Sequence, residues 1–374
     1  MIAAAPDRLK KVLILAGVLK LSALLLILLG ARLFTFQDQN YLSNFHYPVG
    51  EPIGIWTLFK TWDAQHYLYL ADQGYKPDQV SNAYFPLLPW LIGFLKPLTA
   101  GSGLLAGLPL SFLLALLGIG FLYRLTREEF SESTAWATCL LMLTFPMGFF
   151  NGLVYTESLF LLLLVAFFYF RKNEKLYGAL GCAFLLPLSR PPGIILFILL
   201  IADWVFRAEI RKRDLAYLAA QITGLGVYFL VMEQSTGDAL AGFHAHQYLV
   251  TGNLAVLSMN PLEWWSRNFF TVQYSFDDLK TSLLNRISFL GWLGSTFLAW
   301  KRLPRPYFFL LLGLGIVSAF STELVSYSRY LSVIFPFFIL LAIWLEEKAL
   351  WLALAWLPLQ AYFAVRHALN YWVS

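Results

Sequence analysis

The sequence predicts an all-α polytopic membrane protein, and three observations carry that prediction. First, 59% of its 374 residues are hydrophobic and only 13% are charged, with a mean hydropathy of +0.64; a soluble core of this length could not hide so much apolar surface. Second, runs such as 12–29, 104–122 and 157–170 approach the length needed to cross about 30 Å of hydrocarbon at 1.5 Å per residue. Third, basic residues cluster at the ends of apolar runs, as they do at the cytoplasmic ends of membrane spans.

Taken in order, the first apolar run follows Arg8, Lys10 and Lys11. It has the flanks of a signal peptide but no small-residue cleavage site behind it, so it reads as a retained first span. The later basic clusters are Arg124/Arg127, Arg171/Lys172/Lys175, Arg207/Arg211/Lys212/Arg213 and Lys301/Arg302/Arg305, with Lys348 alone before the last run. Placing all of them in the cytoplasm gives spans near 11–33, 104–123, 133–151, 155–170, 176–189, 193–206, 214–233, 283–300, 307–321, 331–346 and 349–366. These eleven expected spans form a single integral membrane domain over 1–374, with the N-terminus inside and the C-terminus outside.

The proline-rich segment "YFPLLPWLIGFLKPL" is apolar but short, and crossing there would invert everything after it, so it reads as re-entrant or interfacial. Two long excursions, 34–103 and 234–282, then emerge on the outer side. The turns carrying Glu157, "SRPP" and "STELVSYSRY" emerge there too. Polar residues from five stretches thus gather at one membrane face, whereas a transporter spreads charge along its path.

The net charge of +5 lies in those flanking clusters. No soluble segment interleaves basic and aromatic residues as a nucleic-acid surface does, so nucleic acid is not an expected partner. Cys139 and Cys182 both fall inside apolar runs, which argues against a disulfide framework or a thiolate metal site, and no metal-ligand spacing elsewhere indicates a divalent ion.

Individual polar stretches each admit a structural and a chemical reading. In "WDAQHY", helical spacing puts Asp63, His66 and Tyr67 on one face, with Asp63 at the helix start. Asp63 is then either an N-terminal helix charge above interfacial anchors Trp62, Tyr67 and Tyr69, or a carboxylate in an aromatic-walled site that takes a proton from a hydroxyl. His66 could assist it, or bind phosphate when protonated. Glu157 in "YTESLF" either complements a helix start or orients a sugar hydroxyl or an arginine. Arg190 in "LSRPPG" snorkels, or faces a phosphate or a glutamate. Arg329 in "YSRYLSVIFP", beside Tyr327, is either an interfacial anchor or an anion ligand, since its planar fork suits phosphate oxygens and the outer face is otherwise poor in basic residues. His244 and His246 share a face, and could there bind a metal or a phosphate, only if "HAHQYLV" is extended, and otherwise belong to a solvated loop. "NPLEWWSRNFF" reads as an aromatic interfacial helix.

Together these stretches resemble a family. "WDAQHYLYLADQGY" continuing to "AYFPLLPWL", then "YTESLF", "SRPPG" and a late "SRY", look like the PIG-V mannosyltransferases of the GT-C superfamily. The match places Trp62, Asp63, His66, Gly74, Tyr75, Phe85, Pro86 and Pro89 in the family's first-loop order. The chain is shorter than the eukaryotic members, as expected of a bacterial relative whose acceptor need not be a glycosylphosphatidylinositol precursor.

The resemblance implies a GT-C-type bundle of about 11 helices with interfacial helices in the first outer loop. It also implies inverting transfer of a hexose, typically mannose, from a polyprenyl-phosphate sugar to a lipid or glycan acceptor hydroxyl on the periplasmic side of a bacterial inner membrane. Asp63 matches the position of the general base. Arg329, with Arg190 or His66, would hold the donor phosphate, Glu157 the sugar, and Trp62, Tyr67, Tyr327, His244 and His246 further substrate contacts. No Gly-rich nucleotide loop is present, in keeping with a lipid-linked donor. The competing classes are a lipid-linked-sugar flippase, which predicts polar groups at mid-membrane depth and an internal repeat, and a non-catalytic scaffold subunit, which has no use for Asp63.

Overall fold

The computed structural model describes residues 5–207, 211–249, 260–270, 282–321 and 324–373. The first helix α1 (Ala5–Leu33) is followed by a largely extra-bundle stretch holding α2 (Asp38–Ser43), α3 (Asp63–Gln73) and α4 (Leu87–Leu95). The chain then runs through α5 (Gly103–Glu129), α6 (Glu132–Thr144), α7 (Glu157–Lys172), α8 (Leu176–Ser189), α9 (Ile195–Arg207) and α10 (Lys212–Thr236). After α11 (Ala241–Leu249) and α12 (Pro261–Phe269) come α13 (Leu283–Arg302), α14 (Arg305–Ser321), the short α15 (Tyr327–Leu331), α16 (Phe335–Leu345) and α17 (Ala349–Ala368). The described residues contain no strand.

Every one of the eleven expected spans holds a helix, but their lengths differ from the expectation. α1 from Arg8 onward, α5 and α10 are long and apolar enough to cross a membrane. The others are shorter or less apolar; α16, at 11 residues, rises only about 16 Å. Proline accounts for much of the shortening. The expected span 133–151 stops at Thr144 because Phe145 precedes Pro146 and leaves the helical region, its ψ being 139°. The expected span 331–346 begins only at Phe335, where Pro336 occupies the first turn and needs no N–H partner.

Around α5 the packing is dense: α1, α6 and α7 lie against it, α8 follows α7, and α10 closes on α8. Where α8 and α10 meet, a Cβ on Gly224 would stand 2.1 Å from the Phe184 carbonyl oxygen. Only glycine permits that approach, the usual device where lipid tails offer no hydrophobic drive between helices. On the opposite side of α1, Ile14, Val18, Leu21, Leu25 and Leu29 form an exposed apolar stripe at helical spacing. Such a stripe belongs in acyl chains, and with the apolar helices it marks an integral membrane protein.

α16 and α17 pack on α6, and α17 also lines α1. Just past the end of α17, Asn40 donates to the Asn370 carbonyl at 2.8 Å and Gln37 to the Tyr371 hydroxyl at 2.5 Å. The far ends of the first and last long helices therefore meet beside the 34–103 stretch.

Candidate active site

α3 starts abruptly. Trp62 takes φ 54° and ψ −128°, a conformation that a bulky L-residue rarely adopts and that costs on the order of 1–3 kcal/mol. Its neighbours hold it there: Tyr155 donates to the Thr61 carbonyl at 3.0 Å, Thr61 donates to the His367 carbonyl at 3.2 Å, and Trp372 meets the Trp62 ring edge-on at 5.0 Å. The sharp turn sends the Asp63 carboxylate off the first residue of α3, with a quarter of its side chain exposed.

The partner of Asp63 comes from far along the chain. Ser326, at φ 60°, turns the chain into α15, and Asn285 of α13 accepts from both the Ser328 backbone N–H (2.9 Å) and its hydroxyl (2.5 Å). So clamped, α15 delivers Arg329, whose Nη1 donates to Asp63 Oδ2 and whose Nε donates to Glu157 Oε1, both at 2.7 Å. These are short, charge-assisted bonds. The guanidinium also lies over the rings of Phe150 and Tyr155, at 4.8 and 4.7 Å.

Glu157 opens α7 and is fully buried. Its Oε1 also receives Arg190 Nη1 at 3.5 Å, while Oε2 has no hydrogen-bond partner among the described residues. Arg190 does not snorkel. It sits in the extended link between α8 and the Pro191–Pro192 turn, buried against the rings of Phe160 and Tyr330. Two arginines and two carboxylates from four separate stretches of sequence thus form one balanced cluster.

Tyr84 organises the other side of Asp63. Its hydroxyl donates to Asp63 Oδ1 at 3.0 Å, its ring stacks on His66 at 4.4 Å, and Tyr67 meets it edge-on at 5.1 Å. The helical face expected of Asp63, His66 and Tyr67 is therefore real, and Tyr84 is what it faces. The loop bringing Tyr84 back explains much of the first-loop motif. Gly74 ends α3 at φ 66°, and Tyr75 then donates to the Tyr84 carbonyl at 2.7 Å.

His66 itself is enclosed. It lies between Phe45 (4.1 Å) and Tyr84, with Nδ1 2.9 Å from the Ser81 hydroxyl. Burial lowers its pKa to about 4, against a smaller upward pull from Asp63, so it is neutral near pH 7. For Asp63, burial alone would raise the pKa, but the charge and hydrogen bond of Arg329, helped by His66 and Tyr84, outweigh it and hold the carboxyl below its usual value.

The remaining expected contacts are dispersed. Tyr67 is buried with its hydroxyl 3.3 Å from that of Thr156. Tyr327 is buried too, packed on Phe289 and Trp292 rather than beside Asp63. The 241–249 stretch is helical, so His244 and His246 do not share a face and do not lie in an irregular loop. His244 is exposed and pairs with Asp238 at 2.7 Å; the His246 side chain lies outside the described residues. Sequence reasoning passed over Tyr84, Asn285, Tyr155 and His367, whose Nε2 lies 3.0 Å from the Tyr155 hydroxyl. No group of three or more His, Cys, Asp or Glu that could hold a metal occurs among the described residues.

No family profile matches the sequence, and no curated protein matches it. Solved structures do. The Archaeoglobus fulgidus oligosaccharyltransferase in complex with Zn and sulfate aligns with a TM-score of 0.52 at 13% identity, over 97% of this chain and 53% of that one. The same organism's oligosaccharyltransferase AglB, in complex with an inhibitory peptide and a dolichol-phosphate, gives 0.51 at 12% identity over 98% of this chain and 56% of that one. The fold is similar to that of these oligosaccharyltransferases. This chain spans about half the length of those proteins, and at such identity the likeness concerns the fold alone.

Proposed function

We propose that the protein is a GT-C-type inverting glycosyltransferase that moves a hexose from a polyprenyl-phosphate sugar to an acceptor hydroxyl at the outer membrane face. The observation that carries this reading is the convergence of Asp63, Glu157, Arg190 and Arg329 on one site. The dolichol-phosphate bound by AglB supports a lipid-linked donor, and the resemblance of the first-loop motif to that of the PIG-V family supports mannose as the sugar. The site then faces the periplasm of a bacterial inner membrane, with a lipid or glycan as acceptor.

In this reading Asp63 accepts the acceptor's hydroxyl proton as its oxygen bonds the anomeric carbon from the face opposite the phosphate. The bond from that carbon to the phosphate oxygen breaks, and the electron pair leaves with the phosphate toward Arg329 and Arg190. The unpaired Glu157 Oε2 accepts from a sugar hydroxyl, and Trp62 and Tyr67 wall the sugar. His66 serves by bracing Tyr84 rather than by carrying charge.

A carboxylate held below its usual pKa is a weak base. The donor phosphate removes that handicap by competing with Asp63 for the Arg329 guanidinium. Donor binding thereby raises the basicity of Asp63 at the moment it is needed, and an unloaded site stays quiet.

The test is transfer of label from radiolabelled polyprenyl-phosphate mannose by purified protein in nanodiscs, supplied with a membrane lipid extract as acceptor, with Asp63→Asn alongside wild type. Transfer by wild type alone, with donor binding retained in the variant, supports the reading. Donor binding without transfer by either protein overturns it in favour of a flippase or scaffold.

A further inference from the structure

We propose that the end of the bundle opposite Asp63 binds the phosphate headgroup of an anionic phospholipid. At its start α5 lies against α3, where Gly103 packs beside Leu68. Arg124, 21 residues further along the same helix, is roughly 30 Å away by helical rise. There a cavity of about 680 Å³ opens between α1, α5 and α7, within the size range of small-molecule sites.

Its lining is amphipathic. Leu9, Leu13 and Ile14 of α1 supply the apolar wall, and Lys10, Arg124 and Arg127 supply three cations. None of the three makes a hydrogen bond or ion pair with another described residue. Of the nearby carboxylates, Glu132 pairs with Arg8 at 3.6 Å and Glu129 with Lys172 at 3.0 Å, while Glu128, the one acid among the described lining residues, accepts from the neutral Asn173 amide at 3.0 Å. With three cations against the single Glu128 carboxylate in the lining, a net positive field therefore points into a partly apolar cavity.

The occupant follows from what adjoins the cavity. Ile14 belongs to its wall and also begins the exposed stripe that runs through Val18, Leu21, Leu25 and Leu29. A ligand whose anionic head fills the cavity and whose acyl chain descends that stripe satisfies both features at once. A phospholipid with net negative charge does this, whereas a zwitterionic one brings an ammonium group into a site already rich in cations.

Native mass spectrometry of delipidated protein in detergent tests the proposal, with phosphatidylglycerol and phosphatidylcholine of identical acyl chains. Phosphatidylglycerol is expected to be retained preferentially. Its affinity should fall roughly fivefold for each cation removed in Arg124→Gln and Arg127→Gln, with the lipid-free melting temperature unchanged. Lys301→Gln, at another basic cluster, should bind as wild type. Equal retention of the two lipids overturns the proposal, as do wild-type affinity in the double variant and displacement of the lipid by equimolar inorganic phosphate.

Discussion

Asp63 and Arg329, 266 positions apart in the chain, are joined by a 2.7 Å ion pair, and the same guanidinium reaches the buried Glu157 at the same distance. One arginine thus ties the 34–103 stretch to the seventh helix, and its loss should be felt in folding as well as in chemistry.

Arg329→Gln leaves Glu157 buried with only the longer Arg190 contact. Stripping a buried charge of its partner costs about 3–5 kcal/mol, so the variant's melting temperature in detergent should drop sharply. Adding Glu157→Gln removes the stranded charge and should recover much of the loss. Strict additivity of the two changes in a double-mutant cycle would refute the coupling.

Asp63→Asn keeps the size of the side chain and an oxygen for Arg329 but cannot take a proton. Transfer should fall by about 10²- to 10⁴-fold, the usual contribution of a general base, while donor affinity measured by equilibrium binding stays within a few-fold. Wild-type turnover in this variant removes Asp63 from the chemistry.

Tyr84→Phe deletes the 3.0 Å hydrogen bond to Asp63 and preserves the ring stack with His66. That bond favours the ionised carboxylate, so its removal raises the Asp63 pKa. The acid limb of the pH–rate profile should move to higher pH; an unmoved limb shows that Tyr84 only packs.

Stability should also decline with acid, in two stages. His66 has a folded pKa of about 4 against an ordinary value of 6.5, so between those values the unfolded chain binds more protons and stability falls as pH falls. The whole window is worth on the order of 3 kcal/mol. Asp63, whose folded pKa is depressed, contributes stability that is present above its unfolded pKa and disappears at still lower pH. Melting curves of wild type and His66→Gln from pH 7.5 to 4 should diverge only below about 6.5, with the wild type losing more.

What the sequence made legible was chiefly charge in an apolar chain. Asp63, Glu157, Arg190 and Arg329 stand out because ionised groups near a bilayer need partners, and the structure shows them to be one another's partners. Periodicity also put Asp63, His66 and Tyr67 on one face. It could not reveal Tyr84, since a tyrosine in an aromatic-rich loop carries no local mark of the carboxylate it meets. Asn285 and His367 were invisible for a related reason: each sits in an apolar helix, and its use depends on a residue 43 or 212 positions away. The enclosed state of His66 likewise depends on Phe45 and Tyr84 folding over it.

The bond from Thr61 to the His367 carbonyl spans 306 residues. At a translation rate of 5–20 residues per second, roughly 15–60 s pass between synthesis of its two ends. Throughout that interval the strained turn at Trp62 has nothing to brace it from the last helix. A nascent chain therefore cannot complete the site span by span as it enters the membrane, and a product cut short before α17 is left with the polar residues but without the buttress that aims them.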